Sequence, residues 1–350
     1  MSIATALPKK LRDAYTLVEL LVVMAALTVL AAVVLPSIKS LMHDQKVAAA
    51  SRMVKAHFEA AQARAIAGNS PVAVIFERTH TDLPNMITRL SIGQVFPPYE
   101  GDFTATMGTL SSSGGVFYDT LSVNLGEGSL LSSSAGVFAA GDYLQLDDRQ
   151  SIYQILSLAD KTVGSFVYRV ISFANPSTGQ EADLQISSRM TDQARFRLYR
   201  KPTKSFLQTL NLPRGTCVDL SVSGLGPSGN DFATTAVGQA MIVFNPQGRI
   251  AYWNNGVDGP MAATSLLHVM VGRTEQVSAS TPPMEVANPD DTSTFNANVN
   301  DPNNAWLTIN PFTGAITSSG VQAGNESSTF AARLQAARAF ATYGITQSEK

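Results

Sequence analysis

The first 67 residues carry two different hydrophobic patterns, one after the other. Residues 16–35 read TLVELLVVMAALTVLAAVVL, twenty residues with a single charge, Glu19. At about 1.5 Å per residue, a helix of this length covers about 30 Å, the hydrocarbon thickness of a bilayer. The pattern therefore predicts a transmembrane helix over residues 16–35, and no later stretch of the sequence approaches it.

Beyond this span the apolar residues become periodic. They fall at steps of 7, 4, 3 and 4, and therefore share one face of an α-helix. The members are Val47, Val54, Phe58, Ala61 and Ala65. Gly68 followed by Pro71 predicts the helix end, with Gly68 as the left-handed cap. We predict one helix of about fifty residues, with a kink or local unwinding at Pro36, because proline deletes a backbone hydrogen bond.

The rest of the chain reads as short β-type runs separated by turn signals. Runs rich in β-branched and aromatic residues occur at 71–78, 90–92, 143–146, 166–173, 194–200, 217–222, 240–244, 249–253, 266–271 and 306–309. Two connections are explicit turns, NPQG at 245–248 and NPFTG at 310–314, where proline presets the turn and glycine closes it. Many short strands with such turns predict an antiparallel sheet or sandwich, so with the first helix the fold class is α+β.

Two later stretches differ from this β pattern. Residues 278–304 are polar and rich in Asn, Asp and Pro, which predicts a long loop. Phe330, Leu334, Ala337 and Ala341 then follow helical spacing. A short amphipathic helix is therefore predicted near the end of the sequence.

Charge, cysteine and histidine content argue against several functions. The formal net charge is −2, which gives no indication of a nucleic acid or an anionic surface as partner. Cys217 is the one cysteine, so neither an intrachain disulfide nor a cysteine-based metal site is available. The sequence contains no HExxH and no GxSxG motif, so zinc or nucleophilic catalysis is not indicated.

Two patterns imitate binding motifs. GLGPSG at 224–229 fits GxGxxG, but it contains Pro227 and no convincing helix follows, so a Gly-rich loop is the favoured interpretation. Asp290, Asp291 and Asp301 could supply oxygen ligands to calcium. The loop glycine and the acidic closing ligand of an EF-hand are missing there, so we favour a solvated loop and expect no cofactor.

The stretch AYTLVELLVVMAALTVLAAVVLP, residues 14–36, resembles the class III signal of type IV pilins and type II secretion pseudopilins. The resemblance implies that a prepilin peptidase cuts between Ala14 and Tyr15 and that Tyr15 is then N-methylated. Gly is usual in that family where Ala14 stands, and Phe is usual where Tyr15 stands. The positions that match the family in type and order are Thr16, Leu17, Val18, Glu19, Leu20 and Pro36.

Glu19 places a carboxylate in an apolar span, where it needs a cation. A charge in hydrocarbon costs about 3 kcal/mol even on lenient insertion scales. Cleavage would place the new amine of Tyr15 one helical turn away on the same face. The resemblance implies that, in a filament, Glu19 meets the amine of a neighbouring subunit. The alternative is a glutamate that snorkels to the lipid headgroups.

A cleaved secretory signal is the competing interpretation of residues 1–36. Glu19 interrupts the apolar middle of such a signal, and the run is long for one. Pro36 and Ser37 offer no clean small-x-small exit. A retained helix therefore fits the residues better.

Three further stretches resemble the H-type minor pseudopilins, the GspH/FimT-like group. They are QARAIAGNSPVAVIFER, FNPQGRI and WLTINPFTGAIT. The implied fold is a type IV pilin-like one, with a long helix packed on a two-sheet antiparallel β-sandwich. The expected organisation is a leader at 1–14, an N-terminal helix at 15–68 and a periplasmic β-rich domain at 69–350. Residues from about 80 to 205 exceed what that group needs and are interpreted as a β-rich insertion.

The resemblance implies a structural, non-enzymatic role as a minor pseudopilin-like subunit of a type II secretion pseudopilus. The expected location is the inner membrane, with a single pass, a cytoplasmic leader and a periplasmic C-terminal domain. The implied partners are other pilin or pseudopilin subunits, the prepilin peptidase/N-methyltransferase and the inner-membrane assembly platform. The alternatives are a minor pilin of a type IV pilus or DNA-uptake filament, in which case nucleic acid enters as a partner, and a membrane-tethered periplasmic binding protein.

Overall fold

The computed structural model describes ten stretches of the chain. These are residues 17–101, 107–112, 118–125, 129–132, 136–146, 152–174, 193–235, 238–277, 297–322 and 329–342, with backbone alone at 31–44 and 206–208. The chain divides into two compact units, Met1–Gln45 and Lys46–Lys350.

Within the described residues, helix and antiparallel strand together confirm the α+β class. The helices are α1 (Leu17–Ala67) and α2 (Phe330–Ala337). The strands are β1 (Val72–Phe76), β2 (Met86–Ile87), β3 (Arg89–Gln94), β4 (Met107–Ser111), β5 (Thr120–Asn124), β6 (Tyr143–Leu146), β7 (Ile152–Val163), β8 (Phe166–Ala174), β9 (Gln193–Tyr199), β10 (Thr203–Asn211), β11 (Thr216–Leu225), β12 (Ala240–Phe244), β13 (Ile250–Asn254), β14 (Leu267–Arg273), β15 (Ala305–Ile309) and β16 (Ile316–Gly320).

The second part of α1 buries the apolar stripe that the spacing predicts. Val47, Ala50, Val54, Phe58, Ala61 and Ala65 are each 0% exposed. The ring of Phe58 lies 6.1 Å from that of Phe76 and 6.3 Å from that of Phe244, one residue on each of two paired strands. The helix ends as predicted near Gly68, but the left-handed residue is Asn69, with φ 45°, and not Gly68. Asparagine tolerates this conformation better than other residues with a side chain, which explains the difference.

Two five-stranded sheets follow from antiparallel pairing between distant strands. The first has the order β10-β3-β1-β12-β13, and the second has the order β16-β15-β14-β11-β2. Val72 of β1 pairs with Phe244 of β12, so the chain returns to its first strand after more than 150 residues. Apolar residues of both sheets and of α1 form one core, which positions the helix on the sheets.

The middle of the chain forms a separate closed barrel with strand order β4-β5-β8-β7-β6-β9. Its interior is a second apolar core that includes Leu121, Tyr153 and Phe196. The chain enters and leaves the barrel side by side, because Tyr99 and Leu198 exchange two backbone hydrogen bonds of 3.0 and 2.9 Å. Each strand of the barrel pairs with two neighbours, which allows this module to have a core of its own.

The predicted C-terminal helix is confirmed as α2, and it is held by a buried cation. Leu334 and Ala337 are buried as the spacing predicts, and Nε1 of Trp306 donates to the carbonyl of Ala337 at 3.0 Å. Arg338, which is 0% exposed, donates to the carbonyls of the GLGPSG region, at Val222, Gly226 and Gly229. Of that stretch, Gly224 and Leu225 end β11, and residues 226–229 form the loop that the guanidinium binds, so the favoured interpretation holds for its second part.

Candidate functional site: the two ends of the first helix

The assembly segment predicted from the sequence lies only partly within the described residues. Ala14, Tyr15 and Thr16 fall outside them, so the predicted cleavage and methylation sites stay predictions. The described helix begins at Leu17 and carries Glu19 in its first turn. Backbone N–H groups lack helical partners in a first turn, and the helix dipole favours negative charge there. The described start of α1 is therefore electrostatically suited to the Glu19 carboxylate.

Large apolar side chains surround Glu19 and are exposed. Between 53% and 80% of each is accessible, and Glu19 is the only charged residue from 17 to 30. These side chains are Leu17, Val18, Leu20, Leu21, Val22, Val23, Met24, Leu27, Val29 and Leu30. An apolar surface of this extent on a soluble monomer marks a site of contact with lipid or with other proteins.

The prediction of a membrane span is not confirmed by the described residues. Among them, no helix combines the length and the apolar content needed to cross a bilayer. Pro36 is expected to kink the helix or unwind it locally. Local unwinding is not observed, because α1 is continuous through this position, whereas the kink stays a prediction. Loss of one N–H leaves the neighbouring turns bonded, so the helical backbone can persist across a proline.

The far end of α1 carries a site that the sequence patterns did not indicate. The side-chain amide of Gln62 donates through Nε2 to the carbonyl of Gly248 at 2.7 Å and to that of Gly314 at 2.8 Å. These two glycines close the turns NPQG and NPFTG, one in each sheet. The turns also contact each other, because the N–H of Ile250 donates to the carbonyl of Pro311 at 3.2 Å. We call Gln62 with these two turns the clasp.

Asparagine and glycine give each turn of the clasp its shape. Oδ1 of Asn245 accepts two backbone N–H groups of its turn, and Oδ1 of Asn310 does the same in the other. Gly248 and Gly314 both have φ of 77°, and a Cβ on Gly314 would overlap the carbonyl oxygen of Gly248. Both positions therefore require glycine, for conformation and for space.

Of the three aspartates that were candidate calcium ligands, the structure describes one, Asp301. Asp290 and Asp291 lie outside the described residues, whereas Asp301 is 6% exposed and not part of a solvated loop. Its Oδ2 accepts from Nε2 of Gln276 at 3.0 Å and lies 3.5 Å from Nε of Arg273. In the part of the chain that the structure describes, no group of three His, Cys, Asp or Glu could hold a metal ion. The calcium interpretation stays a prediction.

Perturbed ionisable groups lie in the packed interior. Asp219 is 1% exposed and accepts hydrogen bonds from Ser221 and Asn298, yet burial raises its pKa. Burial, followed by the charge of Arg338, lowers the pKa of His268 to about 3. Burial also raises the pKa of the Cys217 thiol well above its usual value. These shifts come from desolvation within the core, so they indicate structural roles.

Comparison with known proteins supports the resemblance at the amino terminus. Residues 9–35 match the family model described as the prokaryotic N-terminal methylation motif. No curated protein and no solved structure matches the chain. The match supports the resemblance to type IV pilins and pseudopilins that are processed by prepilin peptidase, and it does not distinguish the H-type subgroup.

Proposed function

We propose that this protein is a minor pseudopilin-like structural subunit of a type II secretion pseudopilus, assembled through its N-terminal helix to support protein export. The methylation motif supports prepilin processing and assembly with other pilin-type subunits. The observation that carries the proposal is the start of α1, where a single carboxylate stands among ten exposed apolar side chains.

The free energy of burial explains why this segment needs other molecules. Covering one Val, Leu or Met side chain contributes about 1.5–3 kcal/mol. Ten such side chains remain exposed over residues 17–30. Lipid would cover them while the helix spans residues 16–35 in the inner membrane, and neighbouring helices would cover them in a filament. The same surface then serves anchoring first and assembly afterwards.

Glu19 would orient the contact between subunits, because an apolar surface alone does not favour one alignment over another. A carboxylate among hydrocarbon groups is stabilised only when a cation or hydrogen-bond donors approach it. Cleavage after Ala14 would create such a cation at the amine of Tyr15. Pairing of Glu19 with the amine of a neighbouring subunit would align that subunit along the filament, whereas Thr16, Leu17, Val18 and Leu20 would supply apolar contact.

The proposed organisation follows from the same processing route. The leader at 1–14 would remain in the cytoplasm, the helix at 15–68 would anchor and assemble, and residues 69–350 would form the periplasmic domain. The barrel would be part of an insertion at about 80–205. Its separate core supports this assignment, because the barrel buries its own apolar residues.

A type IV pilus or DNA-uptake filament is the second candidate, because the methylation motif is shared by both kinds of system. The chemistry proposed for Glu19 and Tyr15 would be the same there. The systems differ in what the filament does after assembly, so loss of protein export and loss of DNA uptake distinguish them. A membrane-tethered binding protein is a third candidate, in which the barrel would carry the function and assembly would be dispensable.

The mass of the amino-terminal peptide from purified membranes tests the proposal. We expect a peptide that begins at Tyr15 with one added methyl group. A protein that keeps residues 1–14 in cells with active prepilin peptidase, or one that begins beyond residue 36, would overturn it.

A matched pair of glutamate variants tests assembly. Glu19→Ala is expected to be inserted and cleaved but to cross-link to neighbouring subunits at least tenfold less, because the aligning charge is gone. Glu59→Ala removes an exposed helical glutamate that pairs with Lys55 at 3.7 Å and should assemble normally. Normal assembly of Glu19→Ala, together with loss of function on deletion of residues 107–199, would favour the binding-protein candidate.

A further inference from the structure

The buried stripe of α1 specifies its position on the sheets only weakly. Apart from Phe58, its members are alanines and valines that recur every three or four residues. A slip of one helical turn, about 5.4 Å, would put Val54 in the place of Ala50 and Ala65 in the place of Ala61. Such a slip keeps apolar residues in apolar sites, although it would bring the two additional methyl groups of Val54 into the site of Ala50.

Phe58 opposes such a slip, but it does so gradually. Its ring packs against Phe76 and Phe244 in the core shared by α1 and both sheets. If the helix moved by one turn in either direction, the Phe58 ring would again pack against apolar side chains of the core. Dispersion contacts are non-directional, so they do not require one particular partner.

Gln62 opposes a slip in a directional way. Its amide reaches two carbonyls at once, at 2.7 and 2.8 Å, and both Gly248 and Gly314 are buried. After a slip, those carbonyls lose their donor, and the half-buried amide of Gln62 loses both acceptors. Buried polar groups without partners, such as these two carbonyls, are strongly disfavoured.

We propose that Gln62 is a positioning residue that selects the register of α1 on the two sheets. The clasp takes one carbonyl from each sheet, so it can close only when both hairpins have formed and the helix lies at one height. The proposal deepens the proposed function, on which it rests only for its consequence: a fixed register would give every subunit of a filament the same placement of residues 46–67 on its sheets.

Serine residues provide a direct readout of this register. Oγ of Ser51 on α1 lies 2.9 Å from Oγ of Ser318 on β16. Ser51→Cys with Ser318→Cys should therefore form a disulfide under mild oxidation in the native register. Lys55→Cys or Ala48→Cys with Ser318→Cys reports a slip of about one turn in either direction. Cys217 is 0% exposed and leaves these reactions undisturbed.

Each cysteine pair is introduced into the full-length protein, alone or together with Gln62→Leu, and each variant is oxidised in detergent. With Gln62 present, we expect the disulfide at the 51–318 pair alone. With Gln62→Leu, which keeps the bulk but has no donor, off-register disulfides should rise about tenfold, the factor that corresponds to 1.4 kcal/mol of lost discrimination. Unchanged exclusivity of the 51–318 disulfide in Gln62→Leu would overturn the proposal.

A control variant separates register from stability. Phe58→Leu removes ring packing but leaves the clasp intact, so it should lower the melting temperature without producing off-register disulfides. If Phe58→Leu produces them and Gln62→Leu does not, ring packing selects the register and the proposal is wrong. Neither readout depends on filament formation, so failure here is distinguishable from failure of the proposed function.

Discussion

The start and the end of α1 differ sharply in how far they bury their apolar side chains. Over residues 17–30 the large apolar side chains are 53–80% exposed, whereas the stripe from 47 to 65 is 0% exposed. Both stretches are helical and rich in apolar residues, so helix propensity does not explain the difference. The arrangement of the apolar residues explains it. The stretch from 47 to 65 has them on one helix face, which the sheets cover, whereas the stretch from 17 to 30 has them all around the helix.

The comparison separates two kinds of requirement within one helix. The buried side chains from Ala50 to Ala65 belong to the core that α1 shares with both sheets. The segment from 17 to 30 has no such core within the described residues and needs lipid or other chains. Substitutions in the stripe should therefore change folding, whereas substitutions in the exposed segment should change anchoring and assembly.

A pair of large-to-small substitutions gives the largest expected effect. Phe58→Ala leaves a cavity beside Phe76 and Phe244 and should lower the free energy of unfolding by about 3–5 kcal/mol. Leu21→Ala, at a side chain 63% exposed, should change it by less than about 0.5 kcal/mol. Denaturant unfolding of full-length protein in detergent measures both. Equal losses for the two variants would contradict the division of the helix.

Arg338→Met tests whether residues 46–350 can be destabilised without an effect on the exposed segment at 17–30. It removes the donors to three carbonyls and the cation that lies 4.8 Å from the centre of the Trp306 ring. We expect a loss of about 2–4 kcal/mol in the free energy of unfolding, because buried carbonyls are left without partners.

Cleavage by prepilin peptidase provides the control for Arg338→Met, since it acts on the exposed segment. The rate of cleavage should match that of the unsubstituted protein. An unchanged free energy of unfolding in Arg338→Met would show that the contacts of Arg338 do not stabilise this region.

The sequence predicted the elements that depend on local pattern. The stripe on α1 and the spacing of Leu334, Ala337 and Ala341 identify their buried faces, because a helix brings residues three and four apart together. The predicted run at 240–244 coincides with β12, where Ile242, Val243 and Phe244 favour a strand, and the run at 143–146 coincides with β6.

Elements with weak local signals were missed. Strands β4 and β5 lie in a stretch rich in Gly and Ser, where the sequence analysis assigns no individual run, yet their residues alternate between more and less buried positions. Strand β7 alternates only at its start and is mostly exposed from Leu156 onward, so no period marked its full length. Barrel closure through β4 and β9 joins Met107 to Arg195, a pairing that no short window can reveal.

The clasp was missed because its contacts join residues that lie far apart in the chain. Gln62 meets carbonyls 186 and 252 residues later in the chain. The local signals were present separately, as two asparagine-proline turns and a polar residue next to a buried alanine. Their combination depends on sheet topology, which local pattern does not determine.

The smallest expected effect is the change of the free energy of unfolding with pH. It bears on the comparison because His57 lies in the part of α1, residues 47–65, whose apolar stripe is buried. Burial, followed by the charge of Arg64, lowers its pKa to about 4, and that of His268 is lowered to about 3. Both histidines are neutral in the folded and the unfolded chain above about pH 6.5. As the pH falls below 6.5 the unfolded chain binds protons first, so the free energy of unfolding should decrease toward pH 4.

Chemical unfolding between pH 7 and pH 5 measures this decrease, and histidine variants assign it. His57→Gln together with His268→Asn should flatten the curve, whereas His80→Gln, at an exposed position, should leave its slope unchanged. Asp219 acts in the opposite sense, because burial raises its pKa and its proton favours the folded chain. If the free energy of unfolding still decreases as the pH falls in the variant without His57 and His268, the carboxylates cause the acid sensitivity. Residues 47–65 of α1 then contribute nothing to it.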